Sequence, residues 1–186
     1  MDGIKLLSFL VLLSNIIFIL VVFIFALSKV TKNKKTSRNL YDFLTKHSFR
    51  LIVSVSFVAT FGSLYLSEIR HLTPCLLCWY QRIFMYPTTV LLMTERFVKT
   101  QKVHLFLLPL SFIGGLIAIY HYSLQVTPNP YAPCATLGYS VSCSERFVTN
   151  FGYITIPWMS FSAFVIIFFL SLIKLKLKKI ERLINS

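Results

Sequence analysis

Five long stretches of apolar residues divide the chain, and shorter polar stretches separate them. They cover about residues 4–27, 49–69, 75–93, 103–124 and 154–173. Each is close to the roughly 20 residues that an α-helix needs to cross the hydrocarbon core of a bilayer. Backbone groups in hydrocarbon find no partner outside the chain, and too few alternating segments exist to close a β-barrel. The pattern therefore predicts five membrane-spanning helices.

Composition agrees with this pattern. Of the 186 residues, 56% are hydrophobic and only 13% are charged, whereas soluble domains carry about 25% charged residues. A soluble globule, a disordered chain and a small secreted protein are thereby excluded. The first apolar stretch is also longer than the roughly 7–15 residues typical of the apolar region of a signal peptide. We therefore expect it to be retained as a helix.

The basic residues predict the orientation of the helices. Fifteen of the 19 Lys and Arg residues lie in segments 29–50, 96–102 and 174–182, which five spanning helices place on one side. The positive-inside rule makes that side cytoplasmic, with the N-terminus outside and the C-terminus inside. These short basic segments suit anionic lipid and form no folded nucleic-acid-binding face.

Four cysteines, Cys75, Cys78, Cys134 and Cys143, fall on the predicted outer side. An even number of cysteines on an oxidising face indicates disulfide bonds. The sequence allows three pairings, of which Cys75–Cys78 with Cys134–Cys143 is the simplest. A four-cysteine zinc site is the alternative, but eight residues between the second pair are unusual for zinc. We therefore expect no metal site.

The Cys-x-x-Cys pair follows Pro74 at the start of the third predicted helix. The unpaired N–H groups and the positive dipole end of a helix favour a thiolate there. Arg82 lies four residues after Cys78 and shares its helical face, which also favours the thiolate. An arginine this deep in an apolar segment indicates function; the alternative is that it reaches back to the lipid headgroups. Three prolines between 128 and 133 predict an extended, exposed loop before Cys134.

The stretch Pro74-Cys-Leu-Leu-Cys-Trp-Tyr-Gln-Arg82 resembles the Cys-x-x-Cys-x-x-Glu/Gln-Arg motif of the bacterial disulfide bond formation protein B family, including its Gram-positive relatives. Further matches are His121–Gln125, Cys143–Arg146 and Ile156-Pro-Trp158. The resemblance covers about residues 49–173. It implies an all-α integral membrane protein, a four-helix transmembrane bundle with one extra N-terminal helix. That helix has no counterpart in the family core, and the spacing from Cys134 to Cys143 is shorter than in the best-known enterobacterial members.

This resemblance also predicts how the chain is organised. Residues 1–28 form the extra transmembrane helix, and residues 29–48 form a basic cytoplasmic linker. Residues 49–173 form the redox bundle, with outer loops at 70–75 and 125–153. Residues 174–186 form a basic cytoplasmic tail.

The function implied by the resemblance is that of a protein-dithiol:quinone oxidoreductase in the bacterial cytoplasmic (inner) membrane. A thioredoxin-like (DsbA-like) dithiol oxidase outside the membrane would reduce Cys134–Cys143. Electrons would pass to Cys75–Cys78 and then to ubiquinone or menaquinone. The quinone-binding residues would be Gln81, Arg82, His121 and Gln125. For His121, a buried pairing with a neighbouring helix is an equally weighted alternative.

Two other functions compete with this hypothesis. Membrane reductases of the vitamin K epoxide reductase type also combine a Cys-x-x-Cys with a loop pair, but their loop pair precedes the motif, whereas here it follows. A structural or assembly subunit with inert disulfide bonds is the non-enzyme alternative. Its disulfides would resist dithiothreitol, whereas catalytic pairs would be reduced and then reoxidised by quinone. His47, His71 and His104 lie at predicted helix ends and are expected at the membrane interface.

Overall fold

A computed structural model describes residues 3–30, 34–98, 102–127 and 142–184. It contains five long helices: α1 (Gly3–Val30), α2 (Lys34–Leu64), α3 (Leu76–Val98), α4 (Val103–Val126) and α5 (Ile156–Ile184). One π-helical turn, Tyr65–Ile69, continues α2. The described residues form no strand beyond an isolated bridge between Asn150 and Ile154. The predicted all-α fold is confirmed.

Helices α2 to α5 form a closed bundle. Each packs against the next along the chain, and α5 closes the ring by packing against α2. Helix α1 stands outside this ring and contacts only α2 and α5 to any extent within the described part of the chain. The architecture is therefore a four-helix bundle with one additional helix laid over the seam between its first and last members.

The protein is a multi-pass membrane protein. Among the residues that the structure describes, four segments are long and apolar enough to cross a bilayer: Gly3–Ser28, Asn39–Ile69, Val103–Val126 and Ile156–Lys176. Helix α3 is not among these four segments. It is less apolar than they are, and Gln81 and Arg82 lie in its first half. Its 23 residues nevertheless run antiparallel to α4 over the full height of the bundle. At one end Cys75 reaches His121, and at the other Glu95 reaches His104.

Helix boundaries differ from the predicted ones mainly on the predicted cytoplasmic side. Helix α2 begins at Lys34, so most of the segment expected as a linker continues the helix. Helix α5 likewise continues to Ile184, beyond the predicted end of the apolar stretch at residue 173. Apolar periodicity marks the part of a helix inside hydrocarbon, and it carries no signal for the polar turns that extend beyond.

Many large apolar side chains lie on the surface of the bundle, and several polar side chains lie in its interior. Large apolar side chains such as Ile19, Phe23 and Val90 are exposed, as expected of a surface that faces lipid. Buried polar side chains pair between helices, as Ser56 of α2 does with Thr89 of α3 at 2.5 Å. His104 is fully buried between Glu95 and Ser171, at 3.3 and 3.4 Å.

Substitutions of two adjacent glycines on α4, Gly114 and Gly115, can test how α4 packs against α5. A Cβ atom added at Gly114 would overlap the ring of the fully buried Phe164, whereas one at Gly115 would lie an ordinary 3.7 Å from the Phe164 Cβ. We expect Gly114→Ala to lower the free energy of unfolding by about 1–3 kcal/mol, as overpacking does. Gly115→Ala should be neutral or slightly stabilising, because alanine favours helix. Unfolding in detergent followed by circular dichroism measures both; equal effects would contradict the packing.

Candidate functional site

The first turn of α3 positions both cysteines of the Cys-x-x-Cys motif. The carbonyl of Cys75 accepts the first helical hydrogen bond, from the amide of Trp79 at 3.1 Å, so Cys75 occupies the N-cap position. The chain reaches it through a short turn after the π-helical segment, in which His71 adopts a positive φ of 53°. Pro74 precedes the cap. The two sulfurs therefore lie at the positive end of the α3 dipole.

Three cysteine sulfurs meet at this end of the bundle. Cys75 and Cys78 are free thiols with their Sγ atoms 3.3 Å apart. Cys143 is buried and takes part in a disulfide bond, and neither helix cysteine is its partner. The Sγ atoms of Cys75 and Cys143 and a ring nitrogen of His121 all lie within 4.8 Å of one another. This spacing brings the helix pair next to the loop disulfide.

His121 of α4 links the sulfur cluster to α3. The Gln81 amide donates to its Nδ1 at 2.9 Å, so the ring proton lies on Nε2, which faces the Cys75 Sγ at 3.5 Å. A hydrogen-bond donor therefore points at the sulfur. The Cys78 thiol and the His121 ring thus both place a hydrogen-bonding group beside the Cys75 sulfur.

The loop that carries Cys143 is anchored to the end of α4 by two polar residues. The Gln125 side-chain amide donates to the carbonyl of Glu145 at 3.0 Å. In return, the Arg146 guanidinium donates from Nε to the backbone carbonyl of Gln125 at 2.8 Å. Gln125 is buried, so these bonds are shielded from solvent. Cys143 is therefore held in place two residues from a doubly bonded anchor.

Arg82 is held by α2 on another side of α3. Its Nε donates to the Ser63 hydroxyl at 3.0 Å and a terminal nitrogen donates to the Ser63 carbonyl at 3.1 Å. Its guanidinium also lies 5.2 Å from the ring centre of Trp79, a cation–π distance. These contacts turn the guanidinium toward α2 and Trp79. The charge stays beside Cys78, one helical turn away.

A cavity opens between α2, α3 and the start of α5. Cys78, Gln81, Arg82, Ser63 and Tyr86 supply its polar wall, and side chains such as Leu66, Met85 and Ile156 supply its apolar wall. The Tyr86 hydroxyl is buried without a hydrogen-bond partner among the described residues. The cavity thus offers a guanidinium and a free hydroxyl beside a thiol. That set suits a flat, mainly apolar molecule with carbonyl oxygens.

The structure brings together most of the residues singled out from the sequence. Cys75, His121 and Cys143 form one cluster; Cys78, Gln81 and Arg82 line the cavity. His121 contacts sulfur and Gln81 and does not line the cavity, and Gln125 anchors the loop. Cys134 and the proline-rich stretch lie outside the described residues. Cys143 is already disulfide-bonded, so this cluster is not a set of free metal ligands.

Two cavity residues escaped the sequence reasoning. Tyr86 follows Arg82 by four residues, as Arg82 follows Cys78, so the helical period could have placed all three on one face. Ser63 gave no such signal, because it belongs to a different helix and its neighbours in sequence are apolar or small.

Comparison with known proteins identifies the family. The family model described as disulfide bond formation protein DsbB matches residues 45–174. Disulfide bond formation protein C of Bacillus subtilis is 43% identical over 123 residues, covering 64% of this chain and 87% of that protein. The SPbeta prophage-derived disulfide bond formation protein B of the same organism is 40% identical over 138 residues, covering 74% and 92%. No solved structure matches the chain.

The chain therefore belongs to the disulfide bond formation protein B family, as its motifs predicted. It is a membrane oxidoreductase with a role in disulfide bond formation. The matched segment begins within α2, so α1 lies outside it.

The short distance between the Cys75 and Cys143 sulfurs can be tested in a variant that keeps only these two cysteines. In the variant Cys78→Ser/Cys134→Ser, only Cys75 and Cys143 remain, and mild oxidation should join them because their sulfurs are within 4.8 Å. Mass spectrometry of the digested protein detects the linked peptides. The control Cys75→Ser/Cys134→Ser leaves Cys78, whose side chain faces the cavity, and should form far less of its link to Cys143. Equal yields would contradict the arrangement.

Proposed function

We propose that this member of the disulfide bond formation protein B family is a protein-dithiol:quinone oxidoreductase of the bacterial cytoplasmic membrane. It reoxidises a thioredoxin-like dithiol oxidase outside the cell membrane and passes the electrons to ubiquinone or menaquinone. The observation that carries the proposal is the position of Cys75. Its sulfur lies within 4.8 Å of the Cys143 sulfur and 3.3 Å from the Cys78 sulfur, which borders the cavity.

The first step transfers electrons from the partner to the loop. A thiolate of the reduced partner attacks the Cys134–Cys143 disulfide at Cys134, and Cys143 leaves as a thiolate. The partner's second thiolate then attacks the mixed disulfide and releases Cys134. One disulfide is formed in the partner and one is broken here, so two electrons have moved. Cys143 suits the inner role because Gln125 and Arg146 hold its loop against α4.

The second step moves the electron pair into α3. The Cys143 thiolate attacks the oxidised Cys75–Cys78 bond at Cys75, and Cys78 leaves as a thiolate. Cys134 then displaces Cys75 and restores the loop disulfide, so both helix cysteines are reduced. His121 supports the displacement because its Nε2–H stabilises the departing Cys75 thiolate.

The last step oxidises the helix pair. Two electrons and two protons pass to the quinone, giving a quinol, and the bond between Cys75 and Cys78 re-forms. Arg82, oriented by Ser63, stabilises negative charge on Cys78 and on the nearer quinone oxygen. The unpaired Tyr86 hydroxyl is available to donate to a carbonyl.

The direct test is anaerobic turnover of the purified full chain in detergent. A reduced thioredoxin-like dithiol and ubiquinone or menaquinone are added, and quinone loss is followed by ultraviolet absorbance. We expect dithiol-dependent reduction that stops in Cys78→Ser, while that variant still forms a mixed disulfide with the partner at Cys134. Failure to reduce either quinone, with folded protein and dithiothreitol-resistant cysteines, would favour the structural subunit.

A substitution of Arg82 provides a second test, which concerns only the binding of the quinone. Replacing it in Arg82→Gln removes a charged hydrogen bond worth about 1.5–3 kcal/mol, so we expect KM for quinone to rise about 10- to 100-fold. Oxidative linkage of Cys75 to Cys143 in the trapping background should not change. Arg70→Gln, at an exposed arginine of the outer turn, is the matched control. An unchanged KM in Arg82→Gln would remove Arg82 from the acceptor site.

A further inference from the structure

A long apolar groove lies along the seam that α1 covers. Helix α1 contributes Leu7, Leu10, Val11 and Ser14, whose spacing of three, four and seven residues places them on one face. Helix α2 contributes residues such as Val55, Val58 and Gly62, and α5 contributes residues such as Met159 and Ile166. The groove has a volume of about 250 Å³. Its three walls are therefore three different helices.

This groove lies next to the redox cavity. Five residues border both spaces: Ala59, Ser63, Leu66, Ile156 and Ser160. Ser63 is also the residue that holds Arg82. A molecule with its polar end beside Cys78 and Arg82 would bring its apolar chain into the groove along these shared residues.

Serines border the groove as well as apolar side chains. The Ser14 hydroxyl donates to the Val11 carbonyl at 2.9 Å, and the Ser162 hydroxyl donates to the Trp158 carbonyl at 2.9 Å. Both hydroxyls are thus bonded within their own helices. A hydrocarbon chain can lie against them without stranding a hydrogen-bond donor.

Specific contacts hold α1 over the groove. Near the outer end, Asn150 of the loop donates to the Ser8 hydroxyl at 2.7 Å. Gly62 of α2 lets Leu7 approach closely, since an added Cβ atom would lie 3.2 Å from the Leu7 side chain. Further along, the rings of Phe18 and Phe169 meet at 5.5 Å. The helix is thus fastened above and below the groove, which stays open between the two points.

We propose that α1 is the third wall of a binding groove for the isoprenoid tail of the quinone. The inference rests on the proposed function, because it takes the quinone head to lie in the cavity beside Cys78. It assigns to α1, which lies outside the matched family region 45–174, the task of retaining a long-tailed acceptor. The other occupant of matching chemistry is a lipid acyl chain, and the two are separated by experiment.

The proposal can be tested by placing a larger side chain of α1 in the groove. Val11→Trp places an indole in it, and Leu13→Trp, at a lipid-exposed position of the same helix, is the matched control. The steady-state rates of the full-length variants are measured in detergent with a long-tailed quinone and with a tail-less quinone. We expect Val11→Trp to raise KM for the long-tailed quinone at least about tenfold, the effect of one misfitted methylene in a fitted pocket. KM for the tail-less quinone, and both KM values of Leu13→Trp, should stay unchanged.

Quinone that co-purifies with the wild type should be lost from Val11→Trp and kept in Leu13→Trp. If Val11→Trp reduces both quinones as the wild type does, or loses only phospholipid, the tail assignment is wrong while the proposed function stands. If the wild type reduces neither quinone, the proposed function itself fails. Should Val11→Trp unfold, Ser14→Leu fills the same groove with a smaller side chain and is judged by the same two KM values.

Discussion

Hydrocarbon supplies no hydrogen-bond partner, and α3 meets this constraint by pairing its polar side chains with neighbouring helices. Near the end that carries Cys75, Gln81 bonds His121 of α4 and Arg82 bonds Ser63 of α2. At mid-height Thr89 bonds Ser56 and Thr60 of α2 at 2.5 and 2.8 Å. At the other end Glu95 meets His104 of α4. Single bonds of this kind contribute about 0.6 kcal/mol on average in membranes, but together they fix the height and rotation of α3.

The redox site depends on that fixed rotation. Because Gln81 donates to Nδ1 of His121, the proton of the ring lies on the nitrogen that faces Cys75. A rotation of α3 that broke this bond would also turn Cys75 away from Cys143 and Arg82 away from Ser63. The same contacts that satisfy polar groups in the membrane therefore place the sulfurs. The helix that carries the Cys-x-x-Cys motif is therefore also joined to its neighbours by polar side chains along its length.

The fold was largely predictable from the sequence, and the site only in part. Apolar stretches of membrane length predicted all five helices, and the spacing of Cys78 and Arg82 predicted their shared face. Contacts between distant segments left no such signal: neither the Ser63 partner of Arg82 nor the anchoring of the Cys143 loop by Gln125 follows from local pattern. The burial of His104 left no such signal either, because only the packing of three helices brings Glu95 and Ser171 near it.

The three-residue spacing of the cysteines gives α3 two chemically different sides. Cys75 faces α4 and the loop, where His121 and Cys143 lie. Cys78 faces the cavity, where Arg82 and Tyr86 lie, and Cys75 does not border that cavity. In the proposed reaction, electrons that arrive from the loop can reach the acceptor only by way of the bond between these two sulfurs. In that reaction, one helical turn would place the loop disulfide and the quinone on different sides of α3.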